Sequence, residues 1–291
     1  MMPSFLDSAA LFEWCRIPAN ELENHSEKKV KIKILKTPED VHRWVARDMV
    51  MEVKRHNAEG KPTRWILPCG PTGHYPYFIK TVNEERISLK NVIVFHMDNF
   101  LDWQGRPLPA NHRFDLEGWM RKNFYEPVAS ELEVPEEQRH FPNVYEIDEI
   151  SERIREAGGV DTTYGGVGYR GHIAFNEPPR SPWFSISPEE FRDSKTRILN
   201  LNDDTLIAQS QRVVGGCSHA VPPMGITLGM KDLLCANRIR IFSDTGAWKQ
   251  TVVRILLFGP TTIEYPVTFI QDHLDAMIIV DELTASPPLG V

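Results

Sequence analysis

Cysteine is scarce in this sequence, and its few cysteines do not stand in the pairs that bind metals. The four cysteines are scattered at positions 15, 69, 217 and 235. Because no C-x-x-C pair occurs, the sequence predicts neither a zinc site nor a disulfide framework. No two histidines stand four residues apart, so the paired-histidine helix of zinc proteases is also missing. We therefore expect no metal site.

Long apolar stretches and an excess of positive charge are missing too. No apolar run approaches the roughly 20 residues of a membrane span. The first residues, MMPSFLDSAALFEW, lack the basic and apolar regions of a signal peptide. The formal net charge of −7 disfavours nucleic acid as a partner, although a local cluster of donors can still bind a small anion. We expect a cytoplasmic protein that binds neither nucleic acid nor membrane.

Two nucleotide-binding motifs are absent as well. No G-x-G-x-x-G follows the first predicted strand, which argues against a nicotinamide site. The spaced Gly-Lys-Ser/Thr of a Walker A loop is also missing. The sequence therefore predicts no cofactor.

What the chain does contain is an alternation of strand and helix patterns. Short apolar runs predict strands at 30–35, 65–67, 92–96, 160–164, 238–242 and 276–280, with helical patterns between most of them. Such alternation is typical of a mostly parallel α/β sheet with helices on both faces. We predict an irregular N-terminal arm over residues 1–28, a candidate contact for a neighbouring subunit, and one α/β domain over 29–291.

Polar or glycine-rich loops follow four of the predicted strands. These loops lie at 68–74, 98–99, 165–172 and 243–249. The carboxyl ends of parallel strands meet at one edge of a sheet, and ligands of open α/β sheets bind there. We therefore expect the four loops to form one cleft.

The stretch 164–178, YGGVGYRGHIAFNEP, is the most distinctive in the chain. It holds four glycines, which let a backbone approach a ligand closely, and then His172 and Glu177. An imidazole with a carboxylate five residues later is a candidate acid–base pair; the alternative is a tight turn with an incidental histidine. Asp98, which follows the predicted strand 92–96, is a further candidate, or else it caps a turn or helix.

The string GHIAFNEP resembles the signature of glucosamine-6-phosphate deaminases, which convert an amino sugar phosphate into fructose 6-phosphate and ammonia. Other segments resemble those of the family in the same order: LPCGPTG at 67–73, MDNF at 97–100 and GAWK at 246–249. The resemblance covers roughly residues 30–282. It implies a Rossmann-like α/β sheet related to 6-phosphogluconolactonase and ribose-5-phosphate isomerase.

The resemblance also implies roles for individual residues. Asp98 matches the base that moves a proton between two sugar carbons, His172 matches the residue that helps to open the sugar ring, and Glu177 matches a residue that orients it. Candidate contacts to the substrate or its phosphate are Gly70, Thr72, Gly73, Gly166, Arg170, Arg212 and Lys249.

The chain departs from the family pattern at several of these positions. Arg170 replaces an aspartate two residues before the histidine, and a positive charge there disfavours the imidazolium form. Pro71 removes a backbone donor from the phosphate loop. Ungapped alignment places Gln211 at the family's phosphate-binding arginine, with Arg212 beside it. Arg197 matches one basic residue of the family's allosteric site.

We predict from these features a divergent member of the family. Its expected activity is ring opening and aldose–ketose isomerisation of an amino sugar phosphate or other sugar phosphate, with ammonia release if the sugar is aminated. The alternatives are an isomerase or hydrolase for another anionic sugar bound through Arg170, and a non-catalytic sugar-phosphate sensor. The resemblance also implies a homo-oligomer.

Overall fold

The computed structural model of the chain describes residues 6–180 and 184–288. The strands in these ranges are β1 (Lys31–Leu35), β2 (Thr63–Leu67), β3 (Val92–His96), β4 (Asp98–Leu101), β5 (Arg139–His140), β6 (Thr162–Gly166), β7 (Arg197–Asn200), β8 (Met224–Thr227), β9 (Arg238–Ser243) and β10 (Ala276–Asp281). The helices are α1 (Ser8–Arg16), α2 (Ala19–Leu22), α3 (Pro38–Glu59), α4 (Tyr75–Glu84), α5 (Leu116–Met120), α6 (Glu149–Glu156), α7 (Pro188–Arg192), α8 (Asp203–Val213), α9 (Met230–Leu234), α10 (Gln250–Phe258) and α11 (Glu282–Ala285). A π-helical turn, Arg121–Tyr125, continues α5.

The main sheet has seven strands in the order β1–β10–β9–β6–β2–β3–β5. All of its neighbouring strands run parallel. A smaller antiparallel sheet has the order β4–β8–β7. The predicted mostly parallel α/β sheet is therefore confirmed, but the sequence analysis missed the small sheet, because β4 follows β3 after a single residue and β7 is a short, half-buried strand.

Helices cover both faces of the main sheet, as predicted. Successive residues of a strand point to opposite faces. Ile278 of β10 accordingly belongs to one apolar cluster with Val253 of α10, whereas the next residue, Ile279, belongs to another with Met49 of α3. Both strand residues are fully buried.

Helix α3 begins with a capping box. Thr37 accepts a hydrogen bond from the backbone of Asp40, whose carboxylate accepts one from the backbone of Thr37, and Pro38 occupies the first turn. This capping box satisfies backbone donors that the helix itself leaves without partners. The first turn of α3 is thereby fixed beside the loop after β9, where His42 contacts Asp244.

The N-terminal segment is more ordered than the irregular arm that we expected. It forms α1 and α2, and it buries Cys15 and Leu22. The guanidinium of Arg254 in α10 donates a hydrogen bond to the carbonyl of Ile17 over 2.9 Å. Among the described residues, no helix combines the length and apolar character needed to cross a membrane.

Candidate active site

A cavity of about 460 Å³ opens at the carboxyl ends of β2, β3, β6 and β9. Its walls come from the segments 69–73, 97–98, 166–168 and 242–245, together with α8 and the segment 113–119. All four loops that the sequence analysis placed at one sheet edge contribute to these walls. The carboxyl ends of parallel strands lie at one edge of the sheet, and this brings loops from distant parts of the chain together.

Seven of the ten predicted site residues line this cavity: Gly70, Thr72, Gly73, Asp98, Gly166, His172 and Arg212. The other three do not line it. Glu177 lies against His172, Lys249 is buried close to His172 and Arg212, and Arg170 points to an acidic pair.

Asp98 is the first residue of β4, where it pairs with Thr227 of β8. It follows β3 so closely that the chain turns from the main sheet into the small one at the cavity wall. Burial raises the pKa of its carboxyl group to about 7. A carboxyl group with such a pKa can both take up and return a proton near neutral pH.

His172 faces the cavity from the glycine-rich loop after β6. Burial, and then the nearby charge of Lys249, lower its pKa to about 3, while Asp204 acts in the opposite direction. Arg170, which we expected to disfavour the imidazolium form, is not among these causes. A Cβ at Gly168 would lie 1.8 Å from Nε2 of His172, so only glycine leaves room for the ring.

Glu177 is held by the N-terminal end of α8. Its Oε2 accepts a hydrogen bond of 2.7 Å from the backbone N–H of Asn202, and its Oε1 accepts one from the hydroxyl of Thr205. The same Oε1 lies 3.7 Å from Nδ1 of His172. Burial raises the pKa of Glu177, and its two donors oppose that shift. Glu177 thus connects α8 to the catalytic candidate His172.

Arg170 is engaged by two carboxylates. Its Nη2 lies 2.7 Å from Oε2 of Glu264, and its Nε lies 3.7 Å from Oδ2 of Asp204. Arg180 also pairs with Asp204, over 2.9 Å. These contacts tie the glycine-rich loop to α8 and to the segment before the 3-10 helix Pro266–Asp272.

Two basic side chains, Arg212 and Lys249, lie close together, and of these only Arg212 lines the cavity. Arg212 lines the cavity together with Gln209 and Val213, which lie on the same face of α8. Gln211, the residue given by ungapped alignment, does not line it. Lys249 is buried, and burial together with the charge of Arg212 lowers its pKa to about 7.

Three ionisable side chains that the sequence analysis did not single out also line the cavity: His42, Arg113 and Asp244. Asp244 falls within the loop 243–249, so the expected convergence of loops was a signal for it. His42 lies on α3, whose apolar pattern identifies core positions and not cavity positions. Arg113 lies in an irregular segment between β4 and α5.

The described residues contain no cluster of three or more histidine, cysteine, aspartate or glutamate side chains suited to hold a metal ion.

Comparison with known proteins places these features in context. No protein-family model matches the chain. A glucosamine-6-phosphate deaminase from Cronobacter sakazakii is 32% identical over 257 residues, which cover 85% of this chain and 89% of that protein. The enzyme of the same name from Borrelia garinii subsp. bavariensis is 29% identical over 262 residues, which cover 87% of this chain and 90% of that protein.

Solved structures show the same fold at lower sequence identity. A monomeric glucosamine-6-phosphate deaminase superposes with a TM-score of 0.74 and 22% identity, covering 88% of this chain and 98% of that one. A 6-phosphogluconolactonase from Trypanosoma brucei superposes with a TM-score of 0.60 and 16% identity, covering 89% and 98%. The fold is therefore shared by enzymes of both names.

Proposed function

The chain belongs to the glucosamine-6-phosphate deaminase family, and from this membership we propose that it converts an amino sugar phosphate and water into a ketose phosphate and ammonia. The family consists of enzymes that act on sugar phosphates. The observation that carries the finer proposal is the presence of Asp98, His172 and Arg212 on the walls of one cavity. They supply a base, a ring-opening group and a cation for phosphate.

His172 acts first in this proposal. The sugar enters as a closed ring, and the uncharged imidazole accepts the proton of the anomeric hydroxyl group. It then gives this proton to the ring oxygen as the bond between that oxygen and the anomeric carbon breaks. Its low pKa keeps the imidazole uncharged near neutral pH, so one nitrogen is free to accept the proton, and it makes the imidazolium a strong acid that returns the proton readily. Glu177, which is fixed by two donors from α8, acts as a positioning residue for His172.

Asp98 acts next. It removes the proton from the carbon that bears the amino group and delivers it to the neighbouring carbon, through an enolamine. Hydrolysis of the resulting imine by water releases ammonia. A carboxyl group with a pKa of about 7 suits both halves of this transfer.

The phosphate end of the substrate is assigned to the loop that contains Gly70, Thr72 and Gly73, with Arg212 as the cation at the cavity wall. Lys249 is buried close to Arg212 and adds its charge without lining the cavity. Backbone N–H groups of such a loop suit an anion. Gly166 lines the cavity beside this loop. Phosphate binding far from the reacting carbons can be used to orient them.

Arg170 has a structural role in this proposal. Its guanidinium is occupied by Glu264 and Asp204, and it does not line the cavity. Direct recognition of an anionic sugar by Arg170 would require it to leave both carboxylates. We therefore favour the amino sugar phosphate over the alternative substrate.

The experiment is to incubate the purified chain with glucosamine 6-phosphate and to measure ammonia and fructose 6-phosphate separately. Equal amounts of both products are expected. Glucose 6-phosphate serves as the substrate control, because it can isomerise but carries no nitrogen. Binding of glucosamine 6-phosphate with formation of neither product would refute the enzyme and favour a sensor.

A further inference from the structure

The phosphate end of the cavity contains a histidine–aspartate pair. Nε2 of His42, which lies near the N-terminus of α3, is 2.7 Å from Oδ2 of Asp244, which follows β9. Both side chains line the cavity, with exposed fractions of 18% and 20%. The pair joins two distant elements at the place where the loop 69–73 forms the wall.

The loop is shaped to receive this imidazole. A Cβ at Gly73 would lie 2.2 Å from Cε1 of His42, so the ring packs directly on the glycine backbone. The hydrogen bond from His42 lowers the pKa of Asp244, and the charge of Arg212 acts in the same direction. Asp244 is therefore an ionised carboxylate that fixes the orientation of the ring.

The same loop has fewer backbone donors than a glycine-rich loop usually offers. Pro71 has no N–H, and it lies between Gly70 and Thr72 at the cavity wall. A phosphate group offers acceptor oxygens and is best held by several donors of positive character. An imidazole whose Nε2 proton is bound by a carboxylate has a second nitrogen, Nδ1, which donates when the ring carries both protons.

We propose that His42, oriented by Asp244, is a phosphate ligand of this cavity and supplies a donor that Pro71 cannot. The charge of Asp244 does not exclude the anion, because the guanidinium of Arg212 acts on this carboxylate and lines the same cavity. This inference rests on the proposed function for the location of the phosphate. It assigns His42 to phosphate recognition and Asp244 to the positioning of His42, with no part for either in proton transfer to the sugar carbons.

The test uses inorganic phosphate and glucosamine 6-phosphate as separate probes of the full chain. The dissociation constant for phosphate is measured by ³¹P NMR titration, with displacement by glucosamine 6-phosphate, and KM and kcat are measured in parallel. The variants are H42Q, D244N and the double variant. H25Q is the matched control, because His25 contacts Glu27 and Phe258 at the N-terminal segment.

We expect H42Q to weaken phosphate binding and to raise KM by about tenfold or more, as for loss of a hydrogen bond to a charged group. D244N should have a smaller effect, of about threefold, and the double variant should resemble H42Q because both changes act through one ring. The value of kcat should stay within about threefold of the wild-type value. H25Q should bind phosphate normally.

Unchanged phosphate affinity in a folded H42Q chain would overturn the assignment, as would a wild-type chain that binds no phosphate. Thermal unfolding checks the fold, and D244N, which keeps the side-chain volume, decides the matter if H42Q does not fold. The proposed function is judged separately. If the wild-type chain releases ammonia and H42Q binds phosphate as tightly as the wild type, only this inference is refuted. If phosphate binding depends on His42 but no ammonia is released, only the proposed function is refuted.

Discussion

Asp98 and His172 are two ionisable groups whose protonation is set mainly by burial. Burial disfavours the charged form of each group, so it raises the pKa of Asp98 to about 7 and lowers that of His172 to about 3. Near neutral pH, Asp98 is divided between its acid and base forms, while His172 is uncharged. Groups whose pKa values are moved apart by their surroundings are expected where one site performs successive proton transfers.

Replacement of Asp98 by asparagine tests its role as the base. The amide keeps the shape of the side chain but cannot accept the proton, so we expect kcat to fall by about 10²–10⁴-fold with little change in KM. Steady-state ammonia release gives both values. Unchanged turnover in D98N would show that another group moves the proton.

The pH dependence provides an independent test of the same residue. Because the base must be ionised, kcat/KM should fall as the pH drops below about 7. The raised pKa also predicts that wild-type stability decreases as the pH rises from about 4, where the unfolded chain ionises, to about 7. D98N has no carboxyl group to ionise, so it should not show this decrease in stability. Its melting temperature should exceed that of the wild type at pH 8 by about 2–5 °C and match it at pH 4. A constant difference between the two proteins across this range would contradict the assigned pKa.

Helix α8 serves the site at both of its ends. Asn202, its N-cap residue, and Thr205 in its first turn fix Glu177, and its last turn presents Arg212 to the cavity. One helix thereby contacts the carboxylate beside His172 at one end and carries Arg212, the proposed phosphate ligand, at the other. Residues three or four apart share a helix face, so Arg212 and Gln209 face the cavity together, whereas Gln211 does not line it.

Exchange of Arg212 for glutamine should raise KM for the sugar phosphate by about 10–100-fold, because a charge-assisted contact to the anion is lost. Q211A, one residue away, is the matched control and should leave KM within about twofold. Initial rates over a range of substrate concentrations give both values. The reverse ranking of the two variants would mean that α8 presents its other face to the phosphate.

Sequence reasoning located the elements of the sheet better than it located side chains. A continuous apolar run predicted β3 at 92–96, and the order of strands and loops predicted that Asp98 and His172 would share a cleft. His42 was missed because a cavity-facing residue on α3 has no distinguishing pattern. Whether Gln211 or Arg212 faces the cavity depends on a shift of one residue along α8. An ungapped alignment does not determine which face of a helix a residue occupies.

The ion pairs of Arg170 link the glycine-rich loop to neighbouring segments. R170A should lower kcat/KM by about 3–10-fold through looser placement of His172, with a small change in melting temperature, because a partly exposed ion pair contributes little stability. E264Q keeps Arg170 but removes one of the two carboxylates that pair with it. It should therefore also reduce kcat/KM. An increase in KM in R170A together with an unchanged or lower KM in E264Q would instead indicate that Arg170 binds substrate.

The N-terminal segment is part of the packed molecule. Cys15 and Leu22 are buried, and Ile17 accepts a hydrogen bond from Arg254, whose Nε and Nη1 have no partner among the described residues. Burial lowers the pKa of Arg254 to about 10. The expected contact with a neighbouring subunit remains a prediction, but the face of α1 that holds Cys15 is already covered by this chain.

Deletion of residues 1–17 should therefore lower the melting temperature of a single chain. The deletion exposes the α10 surface that α1 covers and removes the carbonyl partner of Arg254. Loss of two or three buried or half-buried apolar side chains is worth several kcal/mol, which corresponds to a decrease of roughly 10 °C. R254M, which removes the buried charge and keeps an apolar body, is the comparison and should change stability much less. Light scattering measures the mass of the particle formed by the full and by the shortened chain. A lower melting temperature with an unchanged mass supports packing within the chain. A lower mass with an unchanged melting temperature would assign the segment to an interface between subunits.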